Sequence, residues 1–266
     1  MKKAKVYTLF SSSKGNCSYI KYDRDEFLID CGVSARSIEH ALKQLDTGLC
    51  NINAILITHE HCDHIRGLDT ITKYYKIPIY APEKCCDYIS QHMPLYKTPI
   101  ELCSGKAIEL KDIAVCPIAT PHDARGSVGF RIRAGEEKIG YFTDIGHLSE
   151  GVLRGLSGCR RVVIESNHDI EMLKNGPYPY PLKQRILGEM GHLSNELCAK
   201  LLPHLVRYGC ESFLLAHLSE ENNRPEIAYD ESRESLNANG FAVNLSDKTE
   251  SVNLRIASPC GICELE

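Results

Sequence analysis

Residues 53–67 read NAILITHEHCDHIRG, and this stretch decides the architecture. Residues 53–58 (NAILIT) form a continuous apolar run of the kind expected for a strand buried on both faces. The chain then changes character within one residue. His59, His61, Asp63 and His64 follow directly, so their side chains emerge from a strand end. His59 and His61 are two apart and can point the same way from an extended segment. Asp63 and His64 fall where a helix can begin, which turns them toward a second position. Neutral imidazoles and carboxylates are ligands for zinc, manganese or iron. A single histidine is usually a satisfied surface or core residue; three with an aspartate in six positions after an apolar strand read as a metal site.

Three more residues share this context. His122 follows IAVCPIATP, Asp144 ends KIGYFTD and His217 ends ESFLLAH. A carboxylate at Asp144 has two oxygens and can bridge two ions. The histidines at 40, 92, 147 and 204 lack the strand-end context and receive no role.

Working outward, VYTLF (6–10), CSYIKY (17–22) and EFLIDCG (26–32) read as strands. SARSIEHALKQL (34–45) reads as a helix capped by Ser34, with Ile38, Ala41, Leu42 and Leu45 on its apolar face. A helix-like stretch to Tyr75 and a strand IPIYA follow the histidine motif. IAVCPIAT, SVGFRIRA and KIGYFTD make the middle β-rich. RRVVIES and ESFLLAH are expected strands, LSNELCAKLLPHL and PEIAYDESRESLNA helices, and FAVNL a final strand. KNGPYPYPLKQR (174–185) is expected to be a surface loop because of its prolines and glycine. Helices between β-rich blocks in both halves indicate an α/β fold of two packed sheets with helices outside. The expected organisation is one domain over 1–250, with 251–266 as a final strand and a tail carrying Cys260 and Cys263.

Composition bounds the function. A chain of 266 residues buries roughly three quarters of its unfolded surface and can hold a charged site without disulfides. The 13 cysteines are odd in number, and the N-terminus lacks a long apolar region, so a cytoplasmic protein with reduced thiols is expected. No apolar run reaches the ~18 residues of a membrane span. The CxxC of Cys260 and Cys263 has knuckle or redox spacing, but without a second pair it reads as a plain tail. The net charge of −4 argues against a strongly basic nucleic-acid binder. Two divalent ions would reverse that locally, so net charge leaves the substrate open.

Taken together, HEHCDH at 59–64 with the stretches LFSSSKGNCSYI, FLIDCGVSAR, TPHDA, TDIGH, ESNHD, GHLSN and AHLSEENN resembles the metallo-β-lactamase superfamily. Within it the likeness is to the YycJ/WalJ-type (VicX) bacterial hydrolases, related to RNase Z and RNase J. The resemblance covers the chain to about Leu245 and implies a four-layer αββα sandwich with metals at one rim. It implies that His59, His61 and His122 bind one ion, that Asp63, His64 and His217 bind another, and that Asp144 bridges. It also implies a nuclease acting on DNA, or on RNA, with 5′ to 3′ exonuclease polarity.

Two metals sharing a water lower its pKa and present a bridging hydroxide to phosphorus or carbonyl. Asp63 is placed to bind metal and to orient that water. His192 in GHLSN is the candidate proton donor or phosphate clamp, the alternative being a helix-start residue with no chemistry. His168 in ESNHD, with Glu165 nearby, is a candidate supporting or substrate-contact residue. Lys14 and Asn16 in SSSKGN offer a cation and amides to phosphate, although a Gly/Ser turn explains the segment equally well. Arg125, Arg131, Arg133, Lys183 and Arg185 form a basic lip or are scattered surface charge. The competing function is a small ester or thioester hydrolase with the same metals. Neither the native metal nor the oligomeric state is legible.

Overall fold

The computed structural model describes residues 3–95, 97–245 and 251–266. The first half builds one sheet from β1 (Lys5–Ser12), β2 (Gly15–Tyr22), β3 (Asp25–Ile29), β4 (Ala54–Leu56), β5 (Ile79–Pro82) and β6 (Ile100–Leu102). The second sheet comprises β7 (Ile108–Leu110), β8 (Ile113–Ala119), β9 (Val128–Ala134), β10 (Glu137–Phe142), β11 (Arg161–Glu165), β12 (Ser212–Ala216), β13 (Ala242–Val243) and β14 (Ser251–Ile256). The chain then returns to the first sheet as β15 (Cys260–Glu264), antiparallel to β1.

Both sheets mix directions. β1 to β3 are antiparallel and β3 to β6 parallel; β7 to β10 are antiparallel, and β10, β11, β12 and β14 are parallel neighbours. Parallel neighbours need crossovers, which place helices on the outer faces. In the first half these are α1 (Ala35–Lys43), α2 (Cys62–Ile65), α3 (Leu68–Tyr75) and α4 (Glu83–His92). In the second they are α5 (Glu150–Leu156), α6 (Ile170–Asn175), α7 (Tyr180–Leu187), α8 (Asn195–Arg207) and α9 (Pro225–Ala238).

Three apolar layers follow from this order. Val6, Ile20, Phe27, Ile29 and Leu56 of one sheet meet Phe130, Ile132, Tyr141, Val163 and Leu214 of the other. Outside the first sheet, Leu28 and Ile55 pack with Ile38 and Leu42 of α1 and Ile71 of α3. Outside the second, Phe142, Ile164 and Leu215 pack with Leu156, Leu202 and Leu236 of the helices. The result is the four-layer αββα sandwich. Ser34 caps α1 by accepting from Ser37 N–H, and Ser194 caps α8 by accepting from Leu197 N–H. No helix among the described residues is long and apolar enough to cross a membrane.

Three sequence expectations are corrected. The stretch 174–185 is not all loop, because Tyr180–Leu187 is helical. Its prolines gather at the helix start, where a missing N–H costs no intrahelical bond. FAVNL is not the last strand; only Ala242–Val243 pair, and two longer strands follow. The expected boundary at 250 falls outside the described residues. Beyond it, the CxxC segment is no plain tail: Cys260 pairs with Phe10 and Cys263 with Thr8 in the first sheet.

Candidate metal centre

β3, β4, β8, β10, β11 and β12 all end at one rim of the sandwich, where the crevice beyond the carboxyl ends of strands forms the usual site of an α/β sheet. β4 delivers His59 and His61, and α2 delivers Asp63 and His64. His122, Asp144 and His217 follow β8, β10 and β12. Their ligand atoms converge. His59, His61 and His122 form one group, Asp63, His64 and His217 a second, and His59, His64 and Asp144 a third, each within 4.8 Å. Asp144 also groups with Glu165, His192 and His217.

The donor set suits divalent cations. His59 Nε2 and His61 Nδ1 face each other at 3.0 Å. Two nitrogens sharing a tetrahedral zinc with bonds of 2.0–2.1 Å sit about 3.3 Å apart. His122 Nε2, His217 Nε2 and Asp144 Oδ2 are buried without a hydrogen-bond partner among the described residues. Buried polar atoms of that kind call for a ligand.

Charge divides the cluster. Burial, then the neighbouring His64, His122 and His61, hold His59 well below its ordinary pKa. Burial lowers His122 too. Their lone pairs are therefore free at neutral pH. Burial opposes charge on His217 as well, but Asp144, Asp63 and Glu165 push it up to about 10. His64 is raised against burial by Asp30 and Asp144. Burial opposes charge on Asp63, but the neighbouring His217 and His64 outweigh it and hold the carboxyl low. Carboxylates that draw protons onto these imidazoles would equally draw cations, and a cation would displace the protons.

A supporting layer fixes the rings. His64 Nδ1 lies 2.8 Å from Asp30 Oδ2, and Asp30 also accepts from Thr58 N–H and O–H, each at 2.8 Å. His217 Nδ1 and His192 Nδ1 both lie 2.8 Å from Glu165 Oε1. Glu165 Oε2 accepts from the backbone of Ile145 at 2.8 Å and Leu193 at 3.0 Å. His122 Nδ1 faces Gly191 O at 3.1 Å. Asp30, Asp144 and His217 have φ of 59°, 58° and 57°. Left-handed backbone at a non-glycine residue costs of order 1–3 kcal/mol, which the surrounding contacts must offset.

Other sequence candidates are placed differently. His192 adjoins the cluster and lines a cavity of about 170 Å³ shared with His217. His168 is 1% exposed, and neither ring nitrogen has a hydrogen-bond partner among the described residues. Asn16 belongs to β2 rather than to a phosphate loop. It is buried, and its Nδ2 donates to Asp63 Oδ2 at 3.2 Å and lies 3.1 Å from His64 Nε2. Lys14 occupies a two-residue turn and pairs with Glu220, in the loop after His217. Of the basic lip, Arg185 reaches the cavity, paired with Asp123; Arg131 and Arg133 bind Ser157 O and Glu109 instead. Sequence reasoning missed Asp30, whose one signal was a carboxylate closing the apolar run of FLID.

The fold and this rim define a class. Residues 25–218 match the family model described as the β-lactamase superfamily domain. The chain belongs to that superfamily and is a metal-dependent hydrolase. It is similar to exodeoxyribonuclease YycJ of Bacillus anthracis, 34% identical over 238 residues covering 88% of this chain and 90% of that one. It is also similar to exodeoxyribonuclease WalJ of Streptococcus pneumoniae, 33% identical over 231 residues covering 85% of each chain. Among solved structures, the metallo-β-lactamase fold protein YhfI of Bacillus subtilis shares the fold, with a TM-score of 0.70, 15% identity and 98% of both chains covered.

Proposed function

We propose that this chain is a binuclear metal-dependent phosphodiesterase that removes nucleotides from DNA, as a 5′ to 3′ exonuclease. The carrying observation is the pair of ligand groups, His59/His61/His122 and Asp63/His64/His217, with Asp144 beside both. The names of the YycJ and WalJ relatives support the choice of DNA. In this reading the first trio would hold one divalent ion and the second trio another, with the Asp144 carboxylate as a further ligand; zinc, manganese and iron would all suit the donors. Two such ions lower the pKa of a shared water and offset charge developing on phosphate oxygens.

The protein's own groups supply the rest. Asp63 stays ionised, so its carboxylate can accept a hydrogen bond from the attacking water. His192 has Nδ1 committed to Glu165, which leaves Nε2 as the atom offered to the cavity. From there it donates a proton to the leaving oxygen. Glu165 positions that ring and offsets the charge of its protonated form.

The test is degradation of 5′-end-labelled duplex and single-stranded DNA by manganese- or zinc-loaded protein, beside Asp63→Ala. Stepwise release of nucleotides from the 5′ end, lost in the variant, supports the reading. Intact DNA with fully metallated protein transfers the site to a small ester or thioester.

A further inference from the structure

α7 is unusual among the helices because none of its residues is buried. Tyr180 is 73% exposed, and Leu187 and Met190 are also exposed. Yet the segment is firmly held. Lys183 Nζ donates to Lys174 O at 2.7 Å, His192 N–H donates to Ile186 O at 3.0 Å, and Arg185 pairs with Asp123 beside His122. One side of this helix, Leu182 and Ile186 four positions apart, forms with Tyr178 the apolar wall of the cavity that His192 and His217 close. Tyr178 stands between Pro177 and Pro179, and a residue before proline is confined to extended backbone. Its ring is therefore presented from a stiff segment, so little ordering cost opposes a stacking partner.

Resting on the phosphodiesterase reading, we propose that this wall is a stacking slot for the single unpaired terminal nucleobase of the strand whose phosphate lies at the metal cluster. Three observations select that occupant. The cavity is continuous with His192 and His217, so a group bound there is within one nucleotide of the reacting phosphate. Its volume of about 170 Å³ is below the roughly 300 Å³ at which drug-sized ligands begin to fit, which leaves room for a base and not for a paired duplex end. Its cation, Arg185, is already neutralised by Asp123, so the wall recognises a flat apolar face rather than a second phosphate. Aromatic side chains stack on bases of any sequence, which suits an enzyme that reads ends. Single-stranded or frayed ends are then the substrate, and a closed terminal pair must open first.

The experiment uses the manganese-loaded full chain and two end-labelled single-stranded oligodeoxynucleotides, identical except that one has an abasic terminal nucleotide. Wild type should cleave the complete oligonucleotide with kcat/KM higher by about tenfold, in line with alanine-substitution losses at stacking sites. Tyr178→Ala should erase most of that preference, Leu182→Ala should reduce it, and Tyr178→Phe should keep it. Because the readout is a ratio on one protein, partial misfolding lowers both rates and leaves the ratio. Equal cleavage by wild type, or a preference that survives Tyr178→Ala, overturns the slot while leaving the nuclease reading standing. Cleavage of neither oligonucleotide by wild type overturns both.

Discussion

His64 Nδ1 lies 2.8 Å from Asp30 Oδ2, with both side chains sealed from solvent, and this contact fixes which ring nitrogen His64 turns to the cluster. The carboxylate also ties β4 to β3 through Thr58. Asp30→Asn keeps a side chain that tolerates left-handed backbone. It retains an acceptor for Thr58 and loses the anion that holds His64. Metal affinity should fall 10- to 100-fold, the usual loss when a supporting carboxylate is removed. Competition titration with a chromophoric zinc chelator measures it; unchanged affinity would show that Asp30 is structural only.

His192 should separate metal binding from turnover. His192→Ala removes the proposed donor and none of the ligands assigned to the two ions. Turnover on end-labelled DNA should fall by about 10²- to 10⁴-fold with metal content unchanged. Undiminished turnover would remove His192 from the chemistry.

Gly32 tests how tightly the motif is docked. A Cβ on Gly32 would sit 1.5 Å from Asp63 O and 2.6 Å from Asn16 N, both backbone atoms. Gly32→Ala must push the 59–64 segment away from β2, at a cost of about 1–3 kcal/mol or more. The melting temperature should drop by several degrees and bound metal should fall with it. A variant that melts and binds metal like wild type would show the loops to be slack.

How much of this was legible depends on how local each signal is. The motif at 59–64 could be read because its ligands are adjacent in sequence and follow an apolar run. His122, Asp144 and His217 could be found because each closes such a run. The place of Asn16 beside the ligands was not legible. Its contact with Asp63 depends on β1 and β2 meeting at a two-residue turn, which holds Asn16 in the sheet over α2. Asp30 hid inside a stretch read as a strand, since only the parallel register of β3 with β4 brings it to Thr58. β15 is short and rich in cysteine and glycine, with no alternation to betray that it returns to β1.

His168 gives a pH signature apart from the ligands. Burial lowers its pKa from 6.5 to about 4. The native state therefore holds it neutral while the unfolded chain protonates near 6.5. Its contribution is complete above pH 6.5 and is lost as pH falls to about 4, by which point the loss is about 3 kcal/mol. Denaturant melts from pH 7 to 4 should show a steeper loss for wild type than for His168→Leu. Parallel curves would mean that the ring is protonated in the native protein.

The most direct test counts the metal. Protein loaded with zinc or manganese and dialysed should carry two ions per chain by mass spectrometric elemental analysis. Asp144→Asn, which keeps the left-handed backbone but removes the shared charge, should carry fewer. Two ions in wild type with a reduced count in the variant is the result predicted by a cluster that Asp144 spans. One ion in wild type, or two undisturbed in Asp144→Asn, would contradict it.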